Sequence, residues 1–115
     1  MTDLQKLTEL ITKFRDTRDW KQFHNPKDMA LSLVLEATEV MEHFQWKNDK
    51  EIKEYIKVHK KEIGEELSDA LYWVLLMSHD LEIDIEQAFK RKMAISESKY
   101  PAQKAKGSHK KYTEL

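Results

Sequence analysis

There is no cysteine in this chain of 115 residues, so it has neither a disulfide framework nor thiolate chemistry. Glycine and proline number two each. That is too few for the many turns of an all-β fold, and long helices are expected instead. Charge of one sign is also lacking: 20 Lys and Arg against 21 Asp and Glu leave a net −1, which gives no overall pull toward a nucleic acid polymer or an anionic membrane. No apolar run reaches the roughly 20 residues of a membrane span, and the N-terminus lacks a signal-peptide pattern. These exclusions predict a cytoplasmic protein with no membrane partner. The length supports one domain with a small core, of a size that often gains burial by oligomerising.

What is present is helical periodicity. Leu4, Leu7, Ile11 and Phe14, with Leu10 beside them, predict a first helix over residues 3–18, capped by Thr2 or Asp3. A connection follows, Arg18 to His24, that carries Trp20, Phe23 and His24. Asn25-Pro26-Lys27-Asp28 is a strong helix start, with Asn25 as the cap and Pro26 at the first helical position. The second helix is expected to run to about Trp46. Asn48 and Glu51 form a second cap signal. From there the pattern stays helical to about His79, as a short helix and a long one, fused or separated near Gly64. Asp84, with Gln87 three residues on, starts the last helix. Ile85, Ala88, Phe89, Met93 and Ile95 are expected on its inward side, and Tyr100-Pro101 ends it. Residues 1–101 are thus expected to form one domain, and residues 102–115 a loosely held basic tail.

Two acidic motifs stand inside apolar sequence, Glu36-Ala37-Thr38-Glu39 and Glu66-Leu67-Ser68-Asp69. In each, the carboxylates are three residues apart and share one helix face. At about 100° per residue, Ala30, Leu33, Val34, Ala37, Val40, Met41 and Phe44 form one apolar stripe, while Leu31, Leu35 and Trp46 lie nearly opposite. Ser32, Glu36, Glu39 and His43 run as a narrow polar line between the two. Ile63, Leu67, Ala70, Leu71, Val74 and Met77 form the stripe of the second segment, with Glu66, Asp69 and Trp73 along its edge. Carboxylates gathered beside buried surface repel one another and lose hydration, and a divalent cation relieves both. Charged residues make up 36% of the chain, so a solvated helix edge explains the spacing equally well.

If the helices face each other, Glu36, Glu39, Glu66 and Asp69 make a cage open on one side. An all-oxygen ligand set favours Mg²⁺, which is usually completed by substrate phosphates. Di-iron bundles need a Glu-x-x-His pair from each of two helices, and neither motif supplies that histidine. Trp20, His24, Trp46 and Trp73 can furnish a base pocket, since aromatic rings stack on any nucleobase. Core packing is the alternative for each. Lys47, Lys92 and Lys99 are candidate phosphate partners.

On these residues the chain resembles the all-α nucleotide pyrophosphohydrolases of the MazG-like family. Within that family it is most similar to the dCTP pyrophosphatase group. The likeness rests on Arg18-Asp19-Trp20-x-Gln22-Phe23-His24-x-Pro26, Phe44-Gln45-Trp46-Lys47, Glu65-Glu66-Leu67-Ser68-Asp69, Lys92-Met93, Tyr100-Pro101-Ala102 and Lys111-Tyr112-Thr113-Glu114-Leu115. It runs from about Trp20 to the last residue. The resemblance implies an all-α, four-helix-bundle-like fold in a homodimer or homotetramer. It implies that a deoxynucleoside triphosphate, dCTP or a relative, is cut between its α and β phosphates. It also implies Mg²⁺ held by Glu36, Glu39, Glu66 and Asp69, with Glu39 positioning or deprotonating the attacking water. Trp20, His24, Trp46 and Trp73 match base-pocket positions, and Lys92, Lys99 and Tyr100 match positions near the phosphates. The chain departs from the group at Ile11, Trp73 and Ser96, which bears on base preference. The rival expectation is a non-catalytic helical dimer with a solvated acidic edge.

Overall fold

The structure, a computed structural model, describes residues 1–115. It is all-helical, without a strand: α1 (Asp3–Thr17), α2 (Pro26–Glu42), α3 (Asp49–Asp80), α4 (Ile85–Lys99) and α5 (Ala102–Ala105), with single 3₁₀ turns at Lys21–Phe23 and Tyr112–Glu114. The chain forms two compact units, Met1–Glu82 and Ile83–Leu115.

In the first unit the helix starts are those the capping residues predict. The Thr2 hydroxyl accepts from the Gln5 amide and the Gln5 side chain accepts from the Thr2 amide, a reciprocal capping box. Asn25 caps α2 with Pro26 at its first position, and Asn48 and Glu51 form a second box at α3. The end of α1 depends on Asp19, whose φ of 54° is left-handed. This lets the Trp20 amide donate back to the Arg15 carbonyl at 3.2 Å, and Gln22 clamps the turn by donating to Asp19. Asp is one of the few residues that enters this backbone region readily. The Arg18-Asp19-Trp20-x-Gln22 stretch is therefore a helix stop that places Trp20.

α2 ends at Glu42, short of the expected Trp46. The Phe44 and Gln45 amides both turn back to the Met41 carbonyl, and the His43 and Phe44 rings fold over Tyr55 of α3. Trp46 then has a φ of 70°, incompatible with continuing a helix and costly for a bulky residue. Of the two arrangements left open, a fused pair and separate helices, α3 is the fused one, and its irregular residue is His59 (φ −113°, ψ 18°) rather than Gly64. The His59 ring stacks on Tyr55 at 4.0 Å, and its Nδ1 donates to the Tyr55 carbonyl. It thereby competes for the acceptor that the helix would use.

α2 and α3 are antiparallel neighbours: His24 meets Trp73, and His43, further along, meets Glu66. α1 packs on α3 through Phe14 against Tyr72 and through Arg15. Arg15 is 1% exposed and grips Asp80 with two hydrogen bonds, 2.6 and 3.0 Å. The fork of Nη1 and Nη2 on the two carboxylate oxygens makes the buried charge tolerable, while the buried Nε has no hydrogen-bond partner and only the Asp16 carboxylate at 3.6 Å. Met29, Leu75 and Leu76 form the buried apolar core. Nearby Ser78 is buried too, with its hydroxyl donating to the Val74 carbonyl. The expected stripes are covered only in part. Val34, Met41, Leu67 and Leu71 are exposed in the single chain, as are Leu31, Leu35 and Trp46. α3, the helix packed against α2, cannot cover apolar residues on both sides of α2.

In the second unit Asp84 caps α4 through the Gln87 amide. Phe89, Met93 and Ile95, expected to face inward, are exposed. Tyr112 meets the Tyr100 ring edge-on at 6.0 Å, and the Lys99 ammonium lies 4.7 Å from the Tyr112 ring centroid. Gly107, at φ 78°, gives the left-handed turn by which the chain comes back.

Candidate metal and nucleotide site

Glu36 and Glu39 lie one helical turn apart on α2, and Asp69 faces them from α3. One carboxylate oxygen from each lies within 4.8 Å of the others. No lysine or arginine pairs with any of the three. Oε2 of Glu36 is buried without a hydrogen-bond partner. Burial, the adjacent Glu39 carboxyl and the charges of Asp69 and Glu66 raise the Glu36 pKa above the ordinary carboxylate value. A buried acceptor left empty beside two more carboxylates is the arrangement a hard cation fits, because it supplies the missing positive charge and accepts oxygen ligands.

Glu66, the fourth acid of the two motifs, stands differently. Its Oε2 accepts from His43 Nε2 at 3.0 Å, and His43 Nδ1 lies 2.6 Å from the Tyr55 hydroxyl. One oxygen of Glu66 is therefore already engaged and the second remains for a ligand.

Glu36 and Asp69 also border a cavity of about 530 Å³. Trp20, Tyr72 and Trp73 form an aromatic wall, and Leu10, Ile11 and Phe14 of α1 close another side. The rings interlock edge to face, Phe14 with Trp20 at 5.6 Å and Tyr72 with Trp73 at 5.0 Å. The Arg18 guanidinium covers the Phe14 ring at 3.9 Å. Burial raises the Tyr72 pKa, with Arg15 and Arg18 opposing it, so the hydroxyl stays protonated at neutral pH. One cavity thus joins an acidic edge to an apolar, aromatic interior, and its volume suits a small organic ligand.

The structure brings Glu36, Glu39, Asp69, Trp20 and Trp73 together, with His24 edge-on to Trp73 at 5.3 Å. Trp46 is 91% exposed in the single chain and lines no part of this cavity. Lys47 lies over the Tyr55 ring at 4.3 Å. Lys92, Lys99 and Tyr100 belong to the second unit. Phe14, Leu10 and Tyr72 were not singled out as site residues by sequence reasoning. Phe14 and Leu10 read as core positions of α1, and only the fold shows that this side of the helix opens onto a cavity.

The antiparallel helical pair thus carries converging carboxylates at the mouth of an aromatic cavity, a helical, acid-rich candidate site. The chain belongs to the MazG-like family, whose model matches residues 31–115. It is 38% identical to dCTP pyrophosphatase 1 of Homo sapiens and 36% identical to that of Mus musculus. Each alignment covers 114 residues, 97% of this chain and 67% of the relative. A crystal structure of a pyrophosphatase from Archaeoglobus fulgidus superimposes with a TM-score of 0.82 at 36% identity. That match covers 88% of this chain and 94% of the other. The chain is an enzyme of this pyrophosphatase class. No helix is long and apolar enough to cross a membrane.

Proposed function

We propose that this protein hydrolyses a deoxynucleoside triphosphate, dCTP or a close relative, between its α and β phosphates, with Mg²⁺ as cofactor. The observation that carries the reading is the single cavity that joins the converging carboxylates to an aromatic wall. The base stacks at Trp20 and Trp73, and the phosphates lie toward the acids. Glu36, Glu39 and Asp69 hold the cation, with Glu66 as a fourth ligand. When bound, Mg²⁺ offsets the phosphate charge and polarises the reacting phosphorus centre. Glu39, the most solvent-facing of the α2 pair, orients the attacking water and takes its proton. Trp46, Lys47, Lys92, Lys99 and Tyr100 serve as further substrate contacts, and His24 supports Trp73. The proposed setting is the cytoplasm.

The protein works as a homodimer or homotetramer, four-helix-bundle-like in its packing. What supports this is the exposure of Leu31 and Leu35 on one side of α2 and of Leu67 and Leu71 on α3, together with a Trp46 that is held in left-handed backbone and left open. Sedimentation equilibrium should give at least twice the 13.8 kDa chain mass, and a monomer would overturn it. The reaction is tested by resolving the products from dCTP. The reading expects dCMP and pyrophosphate, and dCDP with inorganic phosphate would place the cut elsewhere.

A further inference from the structure

His43 and Tyr55 lie outside the cavity and carry none of the roles above, yet they form a directed chain that ends on Glu66. A carboxylate can only accept, so His43 Nε2 carries the proton in its 3.0 Å contact with Glu66 Oε2. In the neutral ring Nδ1 is then an acceptor, and the Tyr55 hydroxyl donates to it at 2.6 Å. The histidine is fixed from both ends, and it is well buried, with 11% of its side chain exposed. Its ring neighbours Phe44 as well as Tyr55. Tyr55 is fixed in turn by the His59 ring stacked on it at 4.0 Å. His59 is the non-helical residue of α3, so the break in the helix is part of what holds Tyr55. Glu66 is meanwhile the one acid of the two motifs outside the group formed by Glu36, Glu39 and Asp69.

We propose that His43, seated by Tyr55, is a positioning residue: it holds one oxygen of Glu66 and thereby presents the other to the divalent cation. The inference rests on the cation reading given above. A ring nitrogen and a hydroxyl behind a carboxylate ligand fix its rotamer before the cation arrives, so less ordering is lost on binding. Partners of this kind typically change metal affinity by about 10- to 100-fold when removed.

The test is Mn²⁺ binding to the full chain, read without nucleotide from the free-ion electron paramagnetic resonance signal, alongside thermal melting in EDTA. His43→Leu is expected to weaken Mn²⁺ binding about 10- to 100-fold, and Tyr55→Phe by a smaller factor. His43→Gln can still donate to Glu66 from its amide nitrogen and should recover most of the loss. A purely structural histidine would lower the melting temperature in EDTA and leave the affinity of the folded protein unchanged. Tyr55→Phe removes a single hydroxyl and keeps the question answerable if His43→Leu does not fold. Wild-type affinity in Tyr55→Phe and in whichever His43 variant folds overturns the proposal. If those variants bind normally while Glu36→Gln binds no Mn²⁺, the cation site stands and the positioning role falls alone. If the wild type itself binds no Mn²⁺, both fall.

Discussion

Glu36 of α2 and Asp69 of α3 hold carboxylate oxygens within 4.8 Å of each other, with Glu39 completing the group, and none of the three is in a salt bridge. Two like charges at this separation, one of them with a buried and unpartnered oxygen, oppose folding until a cation arrives. In EDTA, Glu36→Gln should therefore melt at or above the wild-type temperature. Mg²⁺ at about 100 times its Kd should stabilise the wild type by about 2.7 kcal/mol and the variant far less. Differential scanning calorimetry with and without the ion checks both halves.

The Arg15–Asp80 pair ties α1 to the end of α3, with side-chain exposures of 1% and 15%. Asp80 raises the Arg15 pKa, so the guanidinium stays charged throughout. Asp80→Ala removes both hydrogen bonds from this buried charge, leaves it only the exposed Asp16 at 3.6 Å, and should cost about 3–5 kcal/mol in urea unfolding. Replacing both residues by apolar ones, Arg15→Met with Asp80→Leu, should recover most of the loss. A single-variant cost under about 1 kcal/mol would show that the pair is not the tie described.

His24 has its pKa lowered, first by burial and then by the nearby Arg15 charge, with Asp80 opposing. Its Nδ1 is buried without a partner. A base with a depressed folded-state pKa contributes stability above its unfolded value, near 6.5, and loses it as pH falls through the folded value. The melting temperature of the wild type relative to His24→Gln should therefore drop as pH is taken from 7 to 5. A difference that stays flat over that range contradicts the burial of the neutral ring.

Much of this was legible in the chain. Thr2, Asn25, Asn48 and Asp84 announced their helices because capping is local chemistry that needs no tertiary information. The acidic motifs were legible because three-residue spacing survives in any helix. Trp46 misled, since the turn at 43–46 is set by His43 and Phe44 closing over Tyr55, a contact from another helix. Arg15 was invisible for the same reason: an arginine on α1 reads as solvated until Asp80 is found beside it. The apolar stripes marked which residues avoid water. They did not tell the core residues Leu75 and Leu76 from Leu67 and Leu71, which the single chain leaves uncovered.

Trp20 and Trp73 form opposite ends of an interlocked set of rings around the cavity. Stacking on a base is worth about 1–3 kcal/mol per ring. Trp20→Ala and Trp73→Ala should each weaken nucleotide binding by that amount, and quenching of tryptophan fluorescence by dCTP follows it directly. Unchanged affinity in both variants would remove the base from this cavity.

Pyrophosphate release from dCTP as Mg²⁺ is titrated, in the wild type, Glu36→Gln, Asp69→Asn and Glu65→Gln, bears most directly on the proposed chemistry. Turnover should need the ion, be largely abolished in Glu36→Gln and Asp69→Asn, and persist in Glu65→Gln, whose carboxylate is exposed and stands outside the group formed by Glu36, Glu39 and Asp69. Equal losses in Glu65→Gln and Asp69→Asn, or wild-type Mg²⁺ response in both site variants, would make these acids a solvated helix edge and contradict the account.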